Sequence, residues 1–538
     1  MAFWAQATQR PDPFASSGSL PPAVCQALDW VGKTAPDDAI AWRERATAEI
    51  EQAADRFRNS GESDRWLREC DSGIAEVLKH VNLPLLQHLI KQSGWHDPQV
   101  VDMLRNGAQV VGMLPSSGTG TAIDDPQPPA ELPAVGAERR TANEQILSSL
   151  TEDRHASELL KQIWEIEVPL GRMSAPVPVS EIAESLDHVV VNRRFGVEQG
   201  IDANGDIKIR SVDDCTESLV NAACAVRERL HHDGLDSLVQ CAKRLSTALG
   251  HNADLSFFKA DVDAAYRRVP VASSCLNLVW IVFLVNGITW ASCHRSLAFG
   301  LVAAVHAWNR VGACLTHICR QLLKIPLLRY VDDLFAVEPS RSAPHALSCV
   351  ARVIRAVLGT DALRAHKMAV GNYSLACQFS QWTRSWSRAA CAAMQGVKVS
   401  EAPLVVLGAS VSCLIAVLRC CPSPDKAAKW SDILLRVIAT GIMSPGLAKK
   451  MAGRLSWAAQ TTFRRAGRAM VRPFFAQAFA PLRGARASPA LLSACHWWQV
   501  VLRSGISEAI PLRISLREPV ILLTGACFVS AHRSRALR

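Results

Sequence analysis

The sequence lacks the patterns that would assign it to a membrane-spanning or disordered class. Its longest apolar run, Leu278 to Val285, stops at Asn286 and falls short of the roughly 18 residues that a spanning helix needs. Only 20% of the residues are charged while 49% are hydrophobic, which is typical of packed globular proteins and excludes a disordered tail or a coiled coil. We therefore expect a folded protein with no membrane partner.

Paired cysteine motifs and a secretion signal are also missing. The 17 cysteines include no C-x-x-C pair of the kind found in structural zinc sites. The first residues, MAFWAQATQRPDPF, lack a charged segment followed by an apolar one. We therefore expect reduced thiols in an intracellular protein, of the cytoplasm or the nucleus, without structural zinc. The sequence also shows no internal repeat.

Length and charge favour a multidomain protein with a polyanionic partner. A chain of 538 residues is long enough for roughly two to four domains. The net charge of +10 favours nucleic acid, and the positive charge is concentrated after Pro422. In that stretch only Asp425 and Asp432 oppose a series of basic residues. The series is Lys426, Lys429, Arg436, Lys449, Lys450, Arg454, Arg464, Arg465, Arg468 and Arg472.

Composition also divides the first half of the chain. Residues 1–112 are predicted to be mainly helical and contain no cluster that suggests chemistry. Residues 113–142 are rich in Pro, Gly, Ser and Thr and are predicted to form a flexible linker. Helical patterns follow at 143–164 and 217–249.

Two β-hairpins are predicted from Asn-Gly pairs, one at Asn204-Gly205 and one at 286–287. In the second arm of the first hairpin, strand alternation places Lys208 and Arg210 on one face, where two cations can meet a triphosphate. The alternative is a solvent-exposed edge strand whose basic residues pair with Asp213 and Asp214.

Adjacent carboxylates stand between apolar residues in RYVDDLF (329–335), a pattern that predicts a hairpin exposing Asp332 and Asp333 at its tip. Two acids at a buried strand end repel each other and need a cation. Mg²⁺ is the natural partner because it prefers oxygen ligands and serves phosphoryl transfer. An Asp-Asp pair alone is weak evidence, since most such pairs are solvent-exposed turns.

An earlier segment, KADVDAAYRRVP (259–270), offers a third carboxylate at the end of an apolar strand. Two-metal phosphoryl transfer needs carboxylates from separate strands, and Asp261 together with Asp332 would provide them. Asp263 competes with Asp261, because residues two apart on a strand share a face. The strand pattern leaves this choice open.

These segments together resemble the polymerase motifs of reverse transcriptases from retrotransposon-type polyproteins. KADVDAAYRRVP looks like the first palm motif and YVDD (330–333) like the YxDD box. Between them, SLAFGL (296–301) resembles the LPFG-type motif, with Ala298 in place of its usual proline. KIRSVDD (208–214) resembles the fingers motif, 358–367 the fourth palm motif, 406–408 the primer grip, and KKMAGRL (449–455) the thumb and connection.

The resemblance implies an α+β fold, a right-hand polymerase with fingers, palm and thumb, whose palm is an antiparallel sheet and which a mainly helical N-terminal region precedes. The implied segments are a helical lead-in and fingers (143–260), the palm (261–421), a basic helical thumb (422–485), and a connection with the truncated start of an RNase H-like domain (486–538). That start is inferred from PVILLTGAC (519–527), which lacks the aspartate of the apolar-Thr-Asp-Gly-Ala pattern. We therefore expect no RNase H activity.

The resemblance also assigns roles at the carboxylates. Asp261, Asp332 and Asp333 would bind two Mg²⁺ ions, or Mn²⁺, with the backbone carbonyl of Val262, and Asp333 would contribute less directly. The spacing to Tyr266 in the family favours Asp261 over Asp263.

Six further positions would bind the nucleotide. Tyr266 would exclude a 2′-hydroxyl and select deoxynucleotides, the alternative being a core tyrosine. Phe299 and Gly300 would line the pocket, the alternative being a core aromatic residue beside a turn. Lys208 and Arg210 would bind the triphosphate. Lys367 would donate a proton to pyrophosphate, the alternative being a solvent-exposed lysine.

The implied partners are deoxynucleoside triphosphates (dNTPs) and an RNA or DNA template with its primer, bound largely independently of sequence. The sequence favours neither a monomer nor an oligomer. The residues expected to contact nucleic acid are Tyr330, Leu407, Gly408, Lys449, Lys450 and Arg454. Two alternatives stay open: a decayed, non-catalytic retroelement copy that only binds nucleic acid, and an RNA-dependent RNA polymerase. The latter is disfavoured because those enzymes usually carry Gly before the paired aspartates.

Overall fold

The computed structural model describes residues 20–201, 205, 207–250, 253–372, 386–407, 409–414, 417–459, 463–479, 485–504, 508–512, 526–530 and 533–536. Helices and strands are mixed along these residues. The α-helices are α1 (Pro22–Lys33), α2 (Pro36–Asn59), α3 (Glu62–Arg68), α4 (Ser72–Leu78), α5 (Leu83–Ser93), α6 (Gln99–Asn106), α7 (Ala137–Ser148), α8 (Ala156–Gln162), α9 (Leu235–Leu249), α10 (Val302–Leu322), α11 (Ala343–Leu358), α12 (Arg388–Ala393), α13 (Pro424–Thr440), α14 (Pro445–Ala458), α15 (Arg472–Ala478) and α16 (Pro489–Arg503).

The strands are mostly short. They are β1 (Gly112–Met113), β2 (Thr121–Ala122), β3 (Val177–Pro178), β4 (Val191–Ile201), β5 (Ile207–Asp214), β6 (Cys224–Ala225), β7 (Glu228–Arg229), β8 (Leu255–Asp261), β9 (Trp280–Val285), β10 (Ile288–Cys293), β11 (Leu328–Tyr330), β12 (Asp333–Pro339), β13 (Ala369–Gly371), β14 (Lys398–Val399), β15 (Leu404–Val406), β16 (Ala409–Leu414), β17 (Val417–Pro422), β18 (Glu508–Pro511), β19 (Ala526–Ser530) and β20 (Arg533–Ala536).

Three sheets organise the fold. The first sheet has the order β3-β10-β9-β4-β5, the central sheet β11-β12-β8-β13-β14, and the third sheet β15-β16-β17-β18. In the central sheet every neighbouring pair is antiparallel except β13 and β14, which are parallel. The strands of both predicted hairpins pair in the first sheet, as β4-β5 and β9-β10, and Asn204 of the first turn lies outside the described residues.

Strand β8 lies in the middle of the central sheet and is covered on both faces. Phe257 and Phe258 point to opposite faces and are both fully buried. Phe258 belongs to the main core with residues of α5, α10 and α11, whereas Phe257 packs with residues of α1 and α9. Burial on both faces explains why adjacent residues of this strand, Phe257 and Phe258, are both apolar rather than alternating with polar residues.

The N-terminal helices share the main core with the central sheet. From Pro22 onward the region is helical as predicted, and α5 and α6 contribute to the same core as α10 and α11. Two buried ion pairs attach these helices: Arg43 Nη2 lies 2.8 Å from Glu338 Oε1 on β12, and Asp97 Oδ1 lies 2.7 Å from Arg310 Nη2 on α10. Removing one partner of such a pair typically costs about 3–5 kcal/mol of stability.

The predicted linker, 113–142, makes ordered contacts. Its strand β2 pairs with β7, and the Ala130 amide donates to the Ala222 carbonyl at 2.9 Å. The predicted helix at 217–249 begins only at Leu235, because the backbone before it pairs with this segment through β6 and β7. We call residues 114–122 the strap. The strap is therefore held in place by a stretch that local propensity alone assigns to a helix.

The C-terminal helices α13 to α16 enclose a core of their own, in which Trp430, Phe474 and Trp498 are buried. After α16 the chain returns to the third sheet, where β18 pairs with β17. Residues 513–525, which include most of the RNase H-like pattern, lie outside the described residues, so that interpretation stays a prediction. Among the helices described, none combines the length and apolar character needed to cross a bilayer.

Candidate active site

The three predicted carboxylates meet at one end of the central sheet. Asp261 is the last residue of β8, and its Cα partner on β12 is Asp333, the first residue of that strand. The Val262 amide donates to the Asp332 carbonyl at 3.0 Å, so the hairpin β11-β12 is fixed against the end of β8. Strand register thus brings together residues that are about 70 positions apart in the chain.

The tip of this hairpin adopts a backbone conformation that its residue disfavours. Val331 has φ of +55°, in the left-handed region, where a β-branched residue costs about 1–3 kcal/mol. Two donors hold its carbonyl: Trp308 Nε1 at 2.9 Å and Arg329 Nη1 at 3.1 Å. The tip therefore depends on side chains from α10 and β11 that overcome the local preference.

Burial and mutual repulsion both disfavour negative charge at the tip. Burial, and then the charges of Asp332 and Asp261, raise the pKa of Asp333 to about 6. Burial and the charge of Asp261 likewise raise the pKa of Asp332. Carboxylates that are hard to ionise need a positive charge nearby. A divalent cation, which prefers oxygen ligands, would stabilise their ionised form.

Lysine 367 supplies one cation at this site. Its Nζ lies 2.7 Å from Asp261 Oδ1 and 2.9 Å from Asp263 Oδ1. Although burial opposes it, hydrogen bonding to the two carboxylates raises the pKa of Lys367, which therefore stays charged at neutral pH. Lys367 is therefore half-buried and ion-paired, unlike the solvent-exposed lysine of the alternative.

Register also separates the two acids that the strand pattern left equivalent. Asp263 lies beyond the end of β8, and Arg364 Nη2 is 3.1 Å from its Oδ2, in addition to its contact with Lys367. Its amide donates to the Ala362 carbonyl, away from the hairpin β11-β12. Asp261, and not Asp263, therefore faces Asp333.

The predicted nucleotide residues lie together near the carboxylates. The rings of Tyr266 and Phe299 meet edge to face at 5.1 Å, and the Arg210 guanidinium stands 4.7 Å from the Phe299 centroid. Burial, and then the negative charge of Asp332, raises the pKa of Tyr266. Gly300 has φ of +114°, and a side chain there would collide with the Asp213 carbonyl, so only glycine fits.

A cavity of about 210 Å³ opens beside this group, and Lys208, Arg210 and Phe299 all line it. The two basic residues are exposed on β5, as alternation predicts. The solvent-exposed edge strand of the alternative is confirmed, since β5 is the last strand of the first sheet, but its pairing of these residues with Asp213 and Asp214 is wrong. Asp213 binds Arg194 instead, and Asp214 accepts from the amides of residues 216 and 217.

A buried charged network, which sequence reasoning missed, forms the floor of that cavity. Arg194 Nε donates to Asp213 Oδ1 at 2.8 Å, and His294 Nε2 lies 2.8 Å from Asp213 Oδ2. The other ring nitrogen of His294 accepts from Arg267 Nη1 at 2.8 Å, and Arg267 also binds Glu167. Burial and the neighbouring Arg267 lower the pKa of His294 to about 4, so the imidazole is neutral at pH 7.

A second missed residue, Asn221, positions the nucleotide pocket. Its Nδ2 donates to the Gly300 carbonyl at 2.7 Å, and its Oδ1 accepts from the Val302 amide at 2.9 Å. Val302 is the first residue of α10, so Asn221 satisfies an amide that the helix itself leaves unpaired. No local signal marks this residue, because its partners lie about 80 positions away.

The strap is connected to the hairpin tip by a chain of hydrogen bonds. The Glu228 carboxylate accepts from the amides of Ser117, Gly118 and Gly120, which fixes the strap loop. Asn309 Nδ2 then donates to Thr119 Oγ1 at 2.7 Å. Asn309 Oδ1 accepts from Arg329 Nη2 at 2.6 Å, and Arg329 holds the carbonyl at the tip.

The residues predicted to contact nucleic acid are spread over several elements. Tyr330 is 44% exposed and packs at 5.2 Å against the ring of His232. Leu407 has φ of +49° at the end of β15, whereas Gly408 lies outside the described residues. On α14, Lys449 and Lys450 are exposed and Arg454 is half-buried.

No protein-family model matches the chain, and no curated protein matches it. Two solved structures of a foamy viral protease-reverse transcriptase are similar at 11% identity. One, a dRH form in complex with double-stranded DNA, has a TM-score of 0.42, and the other, in complex with an RNA/DNA hybrid, has 0.40. Each match covers 81% of this chain, but only 60% and 46% of those chains, respectively. This chain thus spans less than two thirds of either of those chains.

Proposed function

We propose that the protein is a retroelement reverse transcriptase, an RNA-directed DNA polymerase that adds dNTPs to a primer 3′-hydroxyl. The observation that carries this proposal is the meeting of Asp261, Asp332 and Asp333 at one sheet end, where two of them have raised pKa values. Carboxylates from separate strands at close range are what two-metal nucleotidyl transfer requires.

The donor set fits Mg²⁺, or Mn²⁺, because it consists of carboxylate oxygens that repel one another unless a cation is present. Asp261, Asp332 and Asp333 would hold two ions together with the Val262 carbonyl. When bound, the ions lower the pKa of the primer 3′-hydroxyl and neutralise charge on the triphosphate.

The chain's own residues supply the remaining functions. Lys208 and Arg210 line the cavity beside Phe299 and would bind the triphosphate. The Tyr266 ring lies against Phe299 and would exclude a 2′-hydroxyl from the sugar site. Lys367, charged and 2.7 Å from Asp261, would protonate the departing pyrophosphate.

The proposal extends to the arrangement of the domains. The first sheet would form the fingers, the central sheet the palm, and α13 to α16 a thumb whose basic face holds the template and primer. Binding through phosphates makes the affinity fall steeply with salt concentration.

Extension of a DNA primer on an RNA template tests the function. We expect Mg²⁺-dependent extension with dNTPs that a chelator abolishes, and much less with ribonucleotides. Salt-sensitive binding of the primer-template by folded protein, without extension in Mg²⁺ or Mn²⁺, would instead identify a non-catalytic nucleic-acid-binding copy. A preference for ribonucleotides would indicate an RNA polymerase.

The strap gives a second prediction for the same assay. Thr119→Val removes the hydroxyl that contacts both Asn309 and Ser117, and only the first of these contacts leads to the tip. Loss of that hydrogen bond of about 1 kcal/mol loosens the tip and predicts a decrease in kcat of roughly fivefold. We expect little change in KM for dNTPs. Thr119→Ser should restore kcat, and Thr141→Val, the same change at an exposed position of α7, should have no effect. An unchanged kcat in Thr119→Val would show that the strap does not position the tip.

A further inference from the structure

Three buried arginines surround a small cavity next to the turn Ala265–Arg268. Arg172, Arg267 and Arg268 are each no more than 9% exposed. They line the cavity together with two exposed residues, Lys79 and His80. The cavity has about 20 Å³ of space, which is enough for one water-sized group.

Most of the charges around this cavity are paired. Arg267 binds Glu167, Arg268 Nη2 lies 2.9 Å from Asp361 Oδ2, and Lys79 Nζ lies 2.6 Å from Glu76 Oε1. Four cations that are permanently charged line the cavity, namely Lys79, Arg172, Arg267 and Arg268. These pairs place a carboxylate opposite three of them.

Arg172 is the fourth cation. Within the part of the chain that the structure describes, its guanidinium has neither a hydrogen-bond acceptor nor an ion-pair partner. Glu167 and Asp361 act on it only at longer range, and Arg267 and Arg268 repel it.

An unpaired guanidinium in this position is energetically unfavourable. Buried charges in proteins are usually paired, because removing an ion from water costs several kcal/mol unless a counter-charge is present. Burial lowers the pKa of Arg172 to about 10, which still leaves the group charged at neutral pH. The cavity therefore carries a positive charge that the neighbouring carboxylates only partly balance. It opens at the side where Lys79 and His80 are exposed.

We propose that this cavity binds a phosphate group, with one oxygen inside against Arg172 and the others at the mouth lined by Lys79 and His80. The size of the cavity admits a single oxygen, while the guanidinium offers several parallel N–H donors that match an oxyanion. The ligand is a free phosphate ion or the terminal phosphate of a nucleic-acid strand. Both present the same chemistry to the three arginines.

A bound phosphate would also stabilise the neighbouring turn. Arg268 Nε donates to the Asp263 carbonyl at 2.8 Å, and its Nη1 donates to the Leu358 carbonyl at 3.3 Å. The same arginine therefore connects the cavity to the turn that carries Tyr266 and to the segment that precedes Lys367. Binding at Arg172 requires no catalysis, so the proposal stands independently of the proposed function.

Calorimetric titration of the full chain with inorganic phosphate, at constant ionic strength set with chloride, tests the site. We expect binding by the wild-type protein and affinity weaker by about tenfold or more in Arg172→Met. Arg45→Met, the same substitution at an exposed position of α2, should leave the affinity unchanged. Phosphate binding that is absent in the wild-type protein, or equal in Arg172→Met, would overturn the proposal.

A second variant and a second ligand complete the test. Lys79→Met changes an exposed residue and should fold normally even if Arg172→Met does not, and it should weaken phosphate binding several-fold. An unchanged affinity in Lys79→Met would overturn the predicted mouth of the site. Short oligonucleotides with a 5′-phosphate or a 5′-hydroxyl separate the two sources. A 5′-phosphate advantage that Arg172→Met removes identifies a strand end, and binding of inorganic phosphate alone identifies the free ion.

Discussion

Asp332→Asn should reduce primer extension by about a thousandfold, which corresponds to about 4 kcal/mol of transition-state stabilisation. The substitution keeps the size of the side chain and removes the charge that would hold the metal ions. Asp332 stands at the hairpin tip, where the carbonyl of the same residue accepts from the Val262 amide. The measurement is the single-turnover rate of dNTP addition at saturating Mg²⁺.

The same variant, although it loses activity, is not expected to lose stability in the absence of metal. Because burial and Asp261 raise the pKa of Asp332, its negative charge destabilises the metal-free fold above the ordinary pKa of an aspartate. Replacing it by a neutral amide should therefore leave the Tm in chelator equal or higher. The stabilisation that Mg²⁺ gives to the wild-type protein should decrease in the variant.

Two controls make the result specific. Asp102→Asn, at an exposed position of α6, should change neither the extension rate nor the Tm. Asp263→Asn should reduce the rate less than Asp332→Asn, because Asp263 pairs with Arg364 and Lys367 and does not face the hairpin. Equal extension by wild-type protein and Asp332→Asn would exclude this carboxylate set as the catalytic site.

Tyr266→Ala should lower the discrimination against ribonucleotides by about a hundredfold. Removing the ring opens space beside Phe299, whose own ring lies 5.1 Å away, and a 2′-hydroxyl then fits. The measurement is the ratio of kcat/KM for a dNTP to that for the matching ribonucleotide. The change should appear mainly as better use of the ribonucleotide.

Tyr266→Phe is the matched control, since it keeps the ring and removes only the hydroxyl. We expect its sugar discrimination to equal that of the wild-type protein. Tyr266 is half-buried, so Tyr266→Ala should also lose some stability, which circular dichroism at the assay temperature would detect. If a folded Tyr266→Ala protein discriminates against ribonucleotides as well as the wild-type protein does, Tyr266 has only a packing role.

Local patterns predicted the elements whose signals are short-range. The Asn-Gly turn between β9 and β10, the hairpin that carries Asp332 and Asp333, and the face shared by Lys208 and Arg210 are all present. Each depends on a turn preference or on strand alternation, which act within a few residues.

Contacts between distant segments decided what local patterns left open or predicted wrongly. Strand alternation could not choose between Asp261 and Asp263, and only the pairing of β8 with β12 placed the former opposite Asp333. The helical propensity of 217–234 is overridden because Asn221 and Glu228 bind segments about 80 and 110 positions away. The polar strap, whose composition predicts a linker, is fixed by the contacts of Glu228.

The sequence by itself therefore determined which residues are available for chemistry: three carboxylates, two aromatic residues and three cations in an order that resembles a polymerase. The tertiary structure alone decided which of them face one another, that Arg172 beside the small cavity has no ion-pair partner among the described residues, and how a disfavoured valine is held at the hairpin tip. The physical reason is the distance along the chain over which each interaction acts. Turn and strand preferences act through neighbouring backbone, whereas register, burial and charge pairing depend on segments that only folding brings together.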